Sequence, residues 1–328
     1  MTGLPVGAAV RVRAPASSAN LGPGFDSIGL ALGVWDELDF LVTAEPGLRI
    51  EVEGSGASGV PRDASHLVYR SFARGLAEQS VPAPDGLLLR TRNRVPHGRG
   101  MGSSATAIVA GVAAAYGLVA WSRGAARGET GVSGPGTDVV IDLAAVNDLA
   151  SELEGHPDNA SATVHGGMTL SWSDDSTGRT VTAALPLHPE LTAVVFVPEA
   201  TLATHTARAL LPEHVPLREA AANSARAALL VEAATRRPEL LVPATRDWLH
   251  QEARRPSYAA SMALVDRLRA QGHAAAISGA GPSVLVLTTL ERAGSVVAGE
   301  GWDRLVPGIP STGVRVQVLD PGESPEAG

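Results

Sequence analysis

The sequence predicts an α+β fold in two domains. The chain has 328 residues, a length typical of one large domain or two ordinary ones, and 45% of them are apolar, enough for a sizeable core. Segments with strand and helix patterns interleave without the strict alternation of a βαβ fold. Because the character of the sequence changes near residues 168–190, we expect one domain over residues 1–175 and a second over residues 176–328.

In the first domain, the spacing of apolar residues predicts strands followed by helices. Alternation predicts strands at residues 10–14, 38–42, 50–52 and 86–96. Near-helical spacing predicts helices at residues 66–79, 104–120 and 137–155. The helix over residues 104–120 is almost wholly apolar, so we expect it to be buried. The polar, glycine-rich segment 122–136 predicts a mobile loop.

In the second domain, a continuous apolar run at residues 192–198 predicts a buried strand. Helical patterns then cover residues 217–235, 239–250 and 257–271. Residues 274–288 predict a turn followed by a strand, and residues 314–319 predict a last strand. The tail over residues 320–328 has a composition typical of disorder.

The composition excludes several classes of function. The 26 basic against 34 acidic residues, a net charge of −8, argue against a nucleic-acid-binding surface. The absence of cysteine excludes disulfides, thiolate zinc sites, iron–sulfur clusters and cysteine nucleophiles. All 26 basic residues are arginine, so Schiff-base chemistry, a Walker-type phosphate loop and a protein-kinase fold are excluded as well, since each needs a lysine.

The expected location is the cytoplasm, without a membrane partner. The N-terminus lacks the basic start and long apolar stretch of a signal peptide. The longest nearly apolar run, Ala107 to Trp121, is shorter than the roughly 20 residues that span a bilayer.

The segment "VPHGRGMGSSATAIVAG", Val95 to Gly111, places a glycine-rich turn at the start of a helix. A helix N-terminus has free N–H donors and a partial positive charge, so it binds anions without lysine. The hydroxyls of Ser103 and Ser104 can bind a phosphate oxygen or a magnesium ion. Taken alone, the segment fits equally well a serine-capped core helix after a glycine loop.

Three further stretches could contribute to a site, and each has a purely structural alternative. "APASSANLGPGFDSIGLAL" (14–32) and "ISGAGPSVLVL" (277–287) could approach a ligand closely or could be tight turns. "SELEGHPDNAS" (151–161) crowds carboxylates and a histidine at a helix end. Its carboxylates could bind a hard cation together with a phosphate held by the glycine-rich turn, or the stretch could be an exposed acidic helix end.

Together, in order and spacing, these stretches resemble the GHMP kinases, the family of galactokinase, homoserine kinase, mevalonate kinase and phosphomevalonate kinase. "PHGRGMGSSATA" is similar to the family's nucleotide loop "P-x-x-x-G-L-G-S-S-A-A", with Met101 for leucine and Thr106 for alanine, and "ISGAGPS" resembles its C-terminal glycine motif. The resemblance implies an N-terminal nucleotide-binding α+β domain and a C-terminal ferredoxin-like α+β domain. It also implies that backbone donors hold the phosphates of ATP.

Within the family, the resemblance is greatest to the homoserine kinases. "PASSANLGPGFDSIGLAL", "EGHPDNAS", "ATHTARALLP" and "WLHQEARRP" are similar to motifs of that group. The chain departs from them at Ala253, where tyrosine is usual, at His66, where the family has an asparagine near the adenine, and at Ala160 and Ser161. The activity implied is transfer of phosphate from ATP to the side-chain hydroxyl of L-homoserine, a step of threonine biosynthesis.

The resemblance also implies roles for individual residues. The implied ATP site consists of Pro96, His97, Gly98, Arg99, Gly100, Met101, Gly102, Ser103, Ser104, Ala105 and His66. Ser104 and Glu154 would hold Mg²⁺, with Glu152 as the alternative carboxylate. The implied homoserine contacts are Asn20, Asp26, His156, Arg208 and Arg254, and the implied catalytic residues are Asn20, Thr204, Arg208 and Asn159.

Asn159 stands where related kinases have an aspartate that can act as a base, so the resemblance implies a reaction without a dedicated carboxylate base. The family also implies a homodimer. Two alternatives stay open at this point: a GHMP kinase for another alcohol, such as an isoprenoid precursor, and a nucleotide-binding regulator that has lost catalysis.

Overall fold

The computed structural model describes residues 3–127, 134–202 and 207–320, and it describes the helix turn 125–127 by its backbone alone. Thr204, much of the loop predicted over 122–136 and nearly all of the tail predicted to be disordered lie outside the described residues. The strands are β1 (Ala9–Asn20), β2 (Gly24–Val42), β3 (Gly47–Gly54), β4 (Gly86–Asn93), β5 (Met168–Ser173), β6 (Thr180–Leu185), β7 (Leu191–Pro198), β8 (Ala274–Ile277), β9 (Val284–Thr289), β10 (Trp302–Leu305) and β11 (Arg315–Val318).

Eight α-helices and three short 3₁₀ helices connect these strands in the part of the chain that the structure describes. The α-helices are α1 (Leu67–Glu78), α2 (Ser103–Arg127), α3 (Leu143–Glu154), α4 (Pro157–His165), α5 (Leu217–Thr235), α6 (Leu241–Ala244), α7 (Gln251–Arg254) and α8 (Ala259–Ala270). The 3₁₀ helices are Pro238–Leu240, Arg255–Tyr258 and Ala293–Ser295.

The larger sheet has seven strands and is built around the long strand β2. Its main path runs β11-β1-β2-β4-β3, and β5 and β6 extend it from the first part of β2. β1 and β2 pair antiparallel along nearly their whole length, with a register shift between Pro15 and Ala16. Beyond that shift, β2 pairs with β5 instead of β4, so the sheet divides there.

Helices α1 and α2 cover one face of this sheet and form its core, in which the rings of Phe40 and Phe72 lie 5.2 Å apart. The apolar helix was expected to end near residue 120, but α2 continues to Arg127. Its segment Ser103–Gly124 is long and apolar enough to cross a membrane by length and composition, contrary to the expectation from the shorter run. Because most of this segment is buried inside the protein, its apolar character is explained by the core.

The smaller sheet has four antiparallel strands in the order β10-β7-β9-β8. Numbered along the chain this order is 4-1-3-2, the arrangement of the ferredoxin-like β-α-β-β-α-β unit, in which Ala293–Ser295 takes the place of the second helix. Alternate residues of β7 face opposite cores: Val194 and Phe196 pack toward α8, and Val195 and Val197 toward α5. Burial on both faces explains the continuous apolar run at residues 192–198.

The structure corrects two sequence-based expectations about helix bounds. The helix predicted over residues 239–250 is wrong beyond Ala244, because the Asp247 carboxylate accepts the N–H groups of residues 249–251 and so caps the next helix. The helix predicted from residue 137 begins at Leu143, capped by Asp142. The domain boundary at residue 175 stays a prediction; β6 and β11, which lie beyond it in the chain, belong to the larger sheet.

The entry to the glycine-rich loop is fixed by Asp36 on β2. Its carboxylate oxygen accepts the backbone N–H groups of Arg94 at 2.6 Å and Val95 at 2.8 Å. The side chain is 5% exposed, and this burial raises the pKa of Asp36 to about 6, although the two backbone hydrogen bonds act to lower it.

This pKa predicts a pH dependence of stability that Asp36→Asn should remove. A carboxyl whose pKa is raised on folding contributes stability below its unfolded pKa and loses it as the pH rises through about 6. The unfolding free energy of the wild type should therefore fall relative to that of the variant between pH 4 and pH 7, by about 3 kcal/mol at most. Denaturant unfolding of both proteins at several pH values measures this difference; a difference that does not change with pH would contradict the assignment.

Candidate active site

The glycine-rich loop presents its backbone at the N-terminus of α2 because every second residue adopts a left-handed conformation. Gly98, Gly100 and Gly102 have φ angles of +66°, +73° and +69°. Side chains are also excluded by space at two of them. A Cβ atom on Gly100 would lie 2.3 Å from the carbonyl oxygen of Ser278, and one on Gly102 would lie 2.2 Å from the Ser17 hydroxyl. Only glycine fits both positions.

Two other loops hold the glycine-rich loop in place. The Ser278 hydroxyl lies 2.6 Å from the Gly100 carbonyl oxygen, to which it donates, and 2.8 Å from the Ser18 hydroxyl. The Asn20 amide donates to the carbonyl of Gly279 at 3.1 Å and accepts the N–H of Asp26. Asn20 is 4% exposed, so its amide joins the β1–β2 loop to the loop after β8 as well as facing the cleft.

At the helix terminus, Ser104 donates a hydrogen bond to the carboxylate of Glu154 at 2.9 Å. Burial raises the pKa of Glu154, although the charge of His156 and the Ser104 hydroxyl act to lower it. Glu152, the alternative carboxylate, is 65% exposed and faces Arg74 at 3.5 Å. Of the two carboxylates, Glu154 is thus the one beside the loop.

These oxygens fit a magnesium ion that is also bound by phosphate. The described residues include no cluster of three or more histidine, aspartate or glutamate side chains that could hold a metal. Mg²⁺ is commonly bound by one or two protein oxygens together with substrate phosphates and water. The pair formed by Ser104 and Glu154 matches that pattern and does not match an all-protein metal cage.

Helix α4 brings His156, Asp158 and Asn159 to the same cleft. The Asp158 carboxylate accepts hydrogen bonds from His156 at 3.1 Å and from the backbone N–H of Asn159 at 2.7 Å. Burial disfavours the charged His156 ring, but Asp158, Glu154 and Asp26 together raise the pKa of His156. The Asn159 amide oxygen accepts from Ser17 at 3.0 Å. Asp158 is therefore occupied as a partner of His156 and of the backbone.

The opposite end of the cleft contains two arginines beside Phe25. Arg208 forms an ion pair with Asp26 at 2.7 Å, with side chains 43% and 34% exposed. Arg254 is 3% exposed and donates to the carbonyl of Ala207 at 3.1 Å. Within the described residues, no carboxylate lies within 4.0 Å of the Arg254 guanidinium. Both guanidinium groups lie less than 6 Å from the centre of the Phe25 ring.

One cleft contains most of the predicted site residues. Those that line it are Asn20, Asp26, His97, Gly98, Arg99, Gly100, Gly102, Ser103, Ser104, Glu154, His156, Asn159, Arg208 and Arg254. Four predicted ATP-site residues do not line it: Pro96, His66, Met101 and Ala105, of which the last three are buried. Met101 and Ala105 contribute to packing because they lie on the inner side of the loop and of α2. The Nδ1 atom of His66 is buried and has no hydrogen-bond partner in the described part of the chain.

The sequence analysis missed Phe25, which lines the cleft, and the buried Ser17, which supports Asn159. Ser17 contacts Asn159 across 142 residues of sequence, and no local pattern marks that pair. Phe25 was within a quoted motif, next to Asp26, but a lone aromatic residue gives no indication of the arginines that it will contact.

The cleft therefore has two chemically different ends. The loop end offers backbone N–H groups, a helix N-terminus and two oxygen ligands, which suit a polyphosphate with a divalent cation. The other end offers a carboxylate and two guanidinium groups, which suit a small molecule that carries both an ammonium and a carboxylate.

Comparisons with known proteins identify relatives of this chain. A family model of the GHMP kinases N terminal domain matches residues 66–167. The homoserine kinase of Streptomyces avermitilis is 50% identical over 299 residues, 90% of this chain and 91% of its own. That of Clavibacter michiganensis is 43% identical over 331 residues, 99% of each chain. The crystal structure of homoserine kinase from Cytophaga hutchinsonii superimposes with a TM-score of 0.77 at 25% identity, covering 96% of this chain and 99% of the other.

Proposed function

Because the chain belongs to the GHMP kinase family, and within it to the homoserine kinases, we propose that it phosphorylates the side-chain hydroxyl of L-homoserine. ATP supplies the γ-phosphoryl group, and the products are ADP and O-phospho-L-homoserine. The observation that carries the choice of an amino acid is the Arg254 guanidinium, which is buried at the cleft without a carboxylate partner among the described residues.

A buried guanidinium is stable when an anion with matched geometry binds it. The α-carboxylate of homoserine supplies that anion, and Arg208 lies on the same Phe25 ring to supply a second fork of donors. The α-ammonium then pairs with the Asp26 carboxylate. The ion pair between Asp26 and Arg208 is thereby replaced by one contact of each residue with the substrate. An isoprenoid alcohol has no ammonium group for Asp26, which disfavours that alternative.

The loop from Pro96 to Ala105 holds the triphosphate of ATP through its backbone donors. Ser104 and Glu154 would hold Mg²⁺, which would neutralise negative charge on the phosphates of ATP. The assignment of the metal to Glu154 rather than Glu152 rests on the Ser104 contact and on burial.

Transfer requires alignment of the hydroxyl with the γ-phosphate more than covalent chemistry by the protein. The homoserine oxygen forms the new P–O bond while the bond to the ADP oxygen breaks. Asn159 cannot accept the hydroxyl proton, and Asp158 is engaged with His156. We therefore place loss of the proton late, with transfer to a phosphoryl oxygen. Thr204 keeps its proposed role beside the phosphoryl group, although it lies outside the described residues.

The assembly and the location of the protein are proposed from its membership of the homoserine kinases. Homoserine and ATP are the proposed small-molecule partners, the proposed assembly is a homodimer, and the proposed location is the cytoplasm. Neither nucleic acid nor a membrane enters the proposed reaction.

The decisive experiment is a coupled assay of ADP release with L-homoserine, serine, threonine, mevalonate and galactose as acceptors. We expect magnesium-dependent turnover with kcat/KM for homoserine well above that for every other acceptor. Preference for mevalonate would contradict the substrate assignment while leaving the family in place. ATP binding without turnover of any acceptor would favour a regulator.

Glu154→Gln tests the metal assignment, with Glu152→Gln as the matched control on the same helix. The first change removes the charge beside Ser104 and should lower kcat by about 100-fold, because a ligand that positions the ion contributes several kcal/mol. The Mg²⁺ concentration for half-maximal rate should rise, and the KM for ATP should change little. Glu152→Gln should behave like the wild type; the reverse result would move the metal to Glu152.

Arg254→Ala tests the carboxylate site, with Arg255→Ala as the control, since Arg255 pairs with Glu252 and Asp266 away from the cleft. Loss of one partner from a buried, hydrogen-bonded charge pair costs about 2–5 kcal/mol, so the KM for homoserine should rise about 30-fold or more. The KM for ATP should barely change. Arg254→Lys should restore only part of the affinity, because a point charge cannot form two parallel hydrogen bonds. An unchanged KM in Arg254→Ala would remove the main support for an amino-acid substrate.

A further inference from the structure

We propose that His250 is a positioning residue for the substrate carboxylate, because its ring joins the β1–β2 loop to the guanidinium of Arg254. The inference rests on the proposed function, since it assigns to Arg254 the carboxylate of homoserine. His250 does not line the cleft, so it would act only through the residues that do.

The hydrogen bonds of His250 fix which ring nitrogen carries the proton. Its side chain is 0% exposed, and Nε2 lies 2.9 Å from the carbonyl oxygen of Gly22. Because a carbonyl can only accept, Nε2 must donate, and in the neutral ring Nδ1 is then an acceptor. Nδ1 lies 3.4 Å from Nη1 of Arg254, which can only donate. The Gly22 carbonyl thereby prepares His250 to accept from Arg254.

The surroundings keep this ring neutral. Burial lowers the pKa of His250, and the neighbouring Arg254 lowers it further, although Asp247, the Gly22 carbonyl and Asp26 act to raise it. Asp247 lies 3.6 Å from the ring, but its carboxylate is shared among three backbone N–H groups at the start of α7. A protonated ring would present a donor to the guanidinium and could not accept from it.

Packing also connects His250 with Arg254, through the ring of Phe25. The His250 ring stacks on Phe25 with centroids 5.1 Å apart and an interplanar angle of 25°. The Arg254 guanidinium lies 5.6 Å from the centre of the same Phe25 ring. Gly22 packs closely on the Thr245 backbone, where a Cβ would lie 2.3 Å from the carbonyl oxygen. His250 therefore sets the direction of Arg254 relative to the loop that carries Asp26.

Two substitutions separate the two ring nitrogens. In His250→Gln, the amide nitrogen can reach the place of Nε2 and donate to Gly22, but no acceptor remains for Arg254. In His250→Asn, the amide oxygen lies near the place of Nδ1 and can accept from Arg254, while the Gly22 contact is lost. We expect His250→Gln to raise the KM for homoserine about tenfold, as for loss of one hydrogen bond to a charged group. His250→Asn should keep a KM within about threefold of the wild type.

The kinetic pattern distinguishes positioning from general destabilisation. For His250→Gln we expect kcat and the KM for ATP to change by less than about twofold, since the loop end of the cleft is untouched. In an Arg254→Ala background the same substitution should add no further increase in the KM for homoserine, because the residue through which it acts is gone. Equal rises in both KM values, or an undiminished effect in that background, would overturn the proposal.

The wild type is measured first, so that the two proposals can fail separately. If the wild type does not turn over homoserine, the proposed function fails and the role of His250 fails with it. If it does, and His250→Gln retains the wild-type KM, only the positioning role is wrong. Thermal unfolding of each variant checks folding. If His250→Gln does not fold, His250→Asn decides: a homoserine KM more than about threefold above that of the wild type, with kcat kept, contradicts the proposal.

Discussion

The site depends on the close approach of three backbone segments at the Gly100 carbonyl. The Ser278 hydroxyl bonds to that carbonyl and contacts Ser18, so one side chain joins the turn after β8, the glycine-rich loop and β1. The approach leaves no room for a Cβ at Gly100. The turn of the smaller sheet thus holds the loop through the Ser278 hydroxyl and lies close against its backbone at Gly100. The glycine-rich loop is therefore held from both sheets.

The remainder of the cleft is a set of polar pairs that a ligand can replace. Asp26 pairs with Arg208, and Ser104 with Glu154, and in each pair at least one member faces the cleft. When a zwitterion or a cation binds, each charged side chain exchanges one partner for another. No charge is left buried without a partner, which keeps the desolvation cost of binding low. Asp158 differs from these groups, because its backbone and histidine contacts lie within one short helix and hold that helix in shape.

The features predicted correctly from sequence have local causes. Helix α5 has the predicted bounds, Leu217–Thr235, because its spacing and flanking residues determine it, and the glycine-rich loop was recognised because its φ angles demand glycine. The features that were missed depend on distant partners. The pairing of β11 with β1 and the contact of Ser17 with Asn159 leave no periodic signal in the sequence. The incorrect prediction of a helix over residues 239–250 has a short-range cause. The apolar spacing there suggests one helix, but the Asp247 carboxylate caps a new one.

In a chain without lysine, backbone N–H groups and arginines are the groups left to bind anions. Of the three arginines at this cleft, Arg99 and Arg254 donate to carbonyls, whereas Arg208 pairs with the Asp26 carboxylate. Arg99 donates to the carbonyl of Glu199 at 2.8 Å, and its Nε atom has no partner in the described ranges. Arg254 donates to the carbonyl of Ala207. A carbonyl orients a guanidinium without cancelling its charge, so Arg99 and Arg254 keep a positive charge for an anion although the protein as a whole carries −8. The site attracts anions because of how its arginines are held, and the net charge of the protein does not decide it.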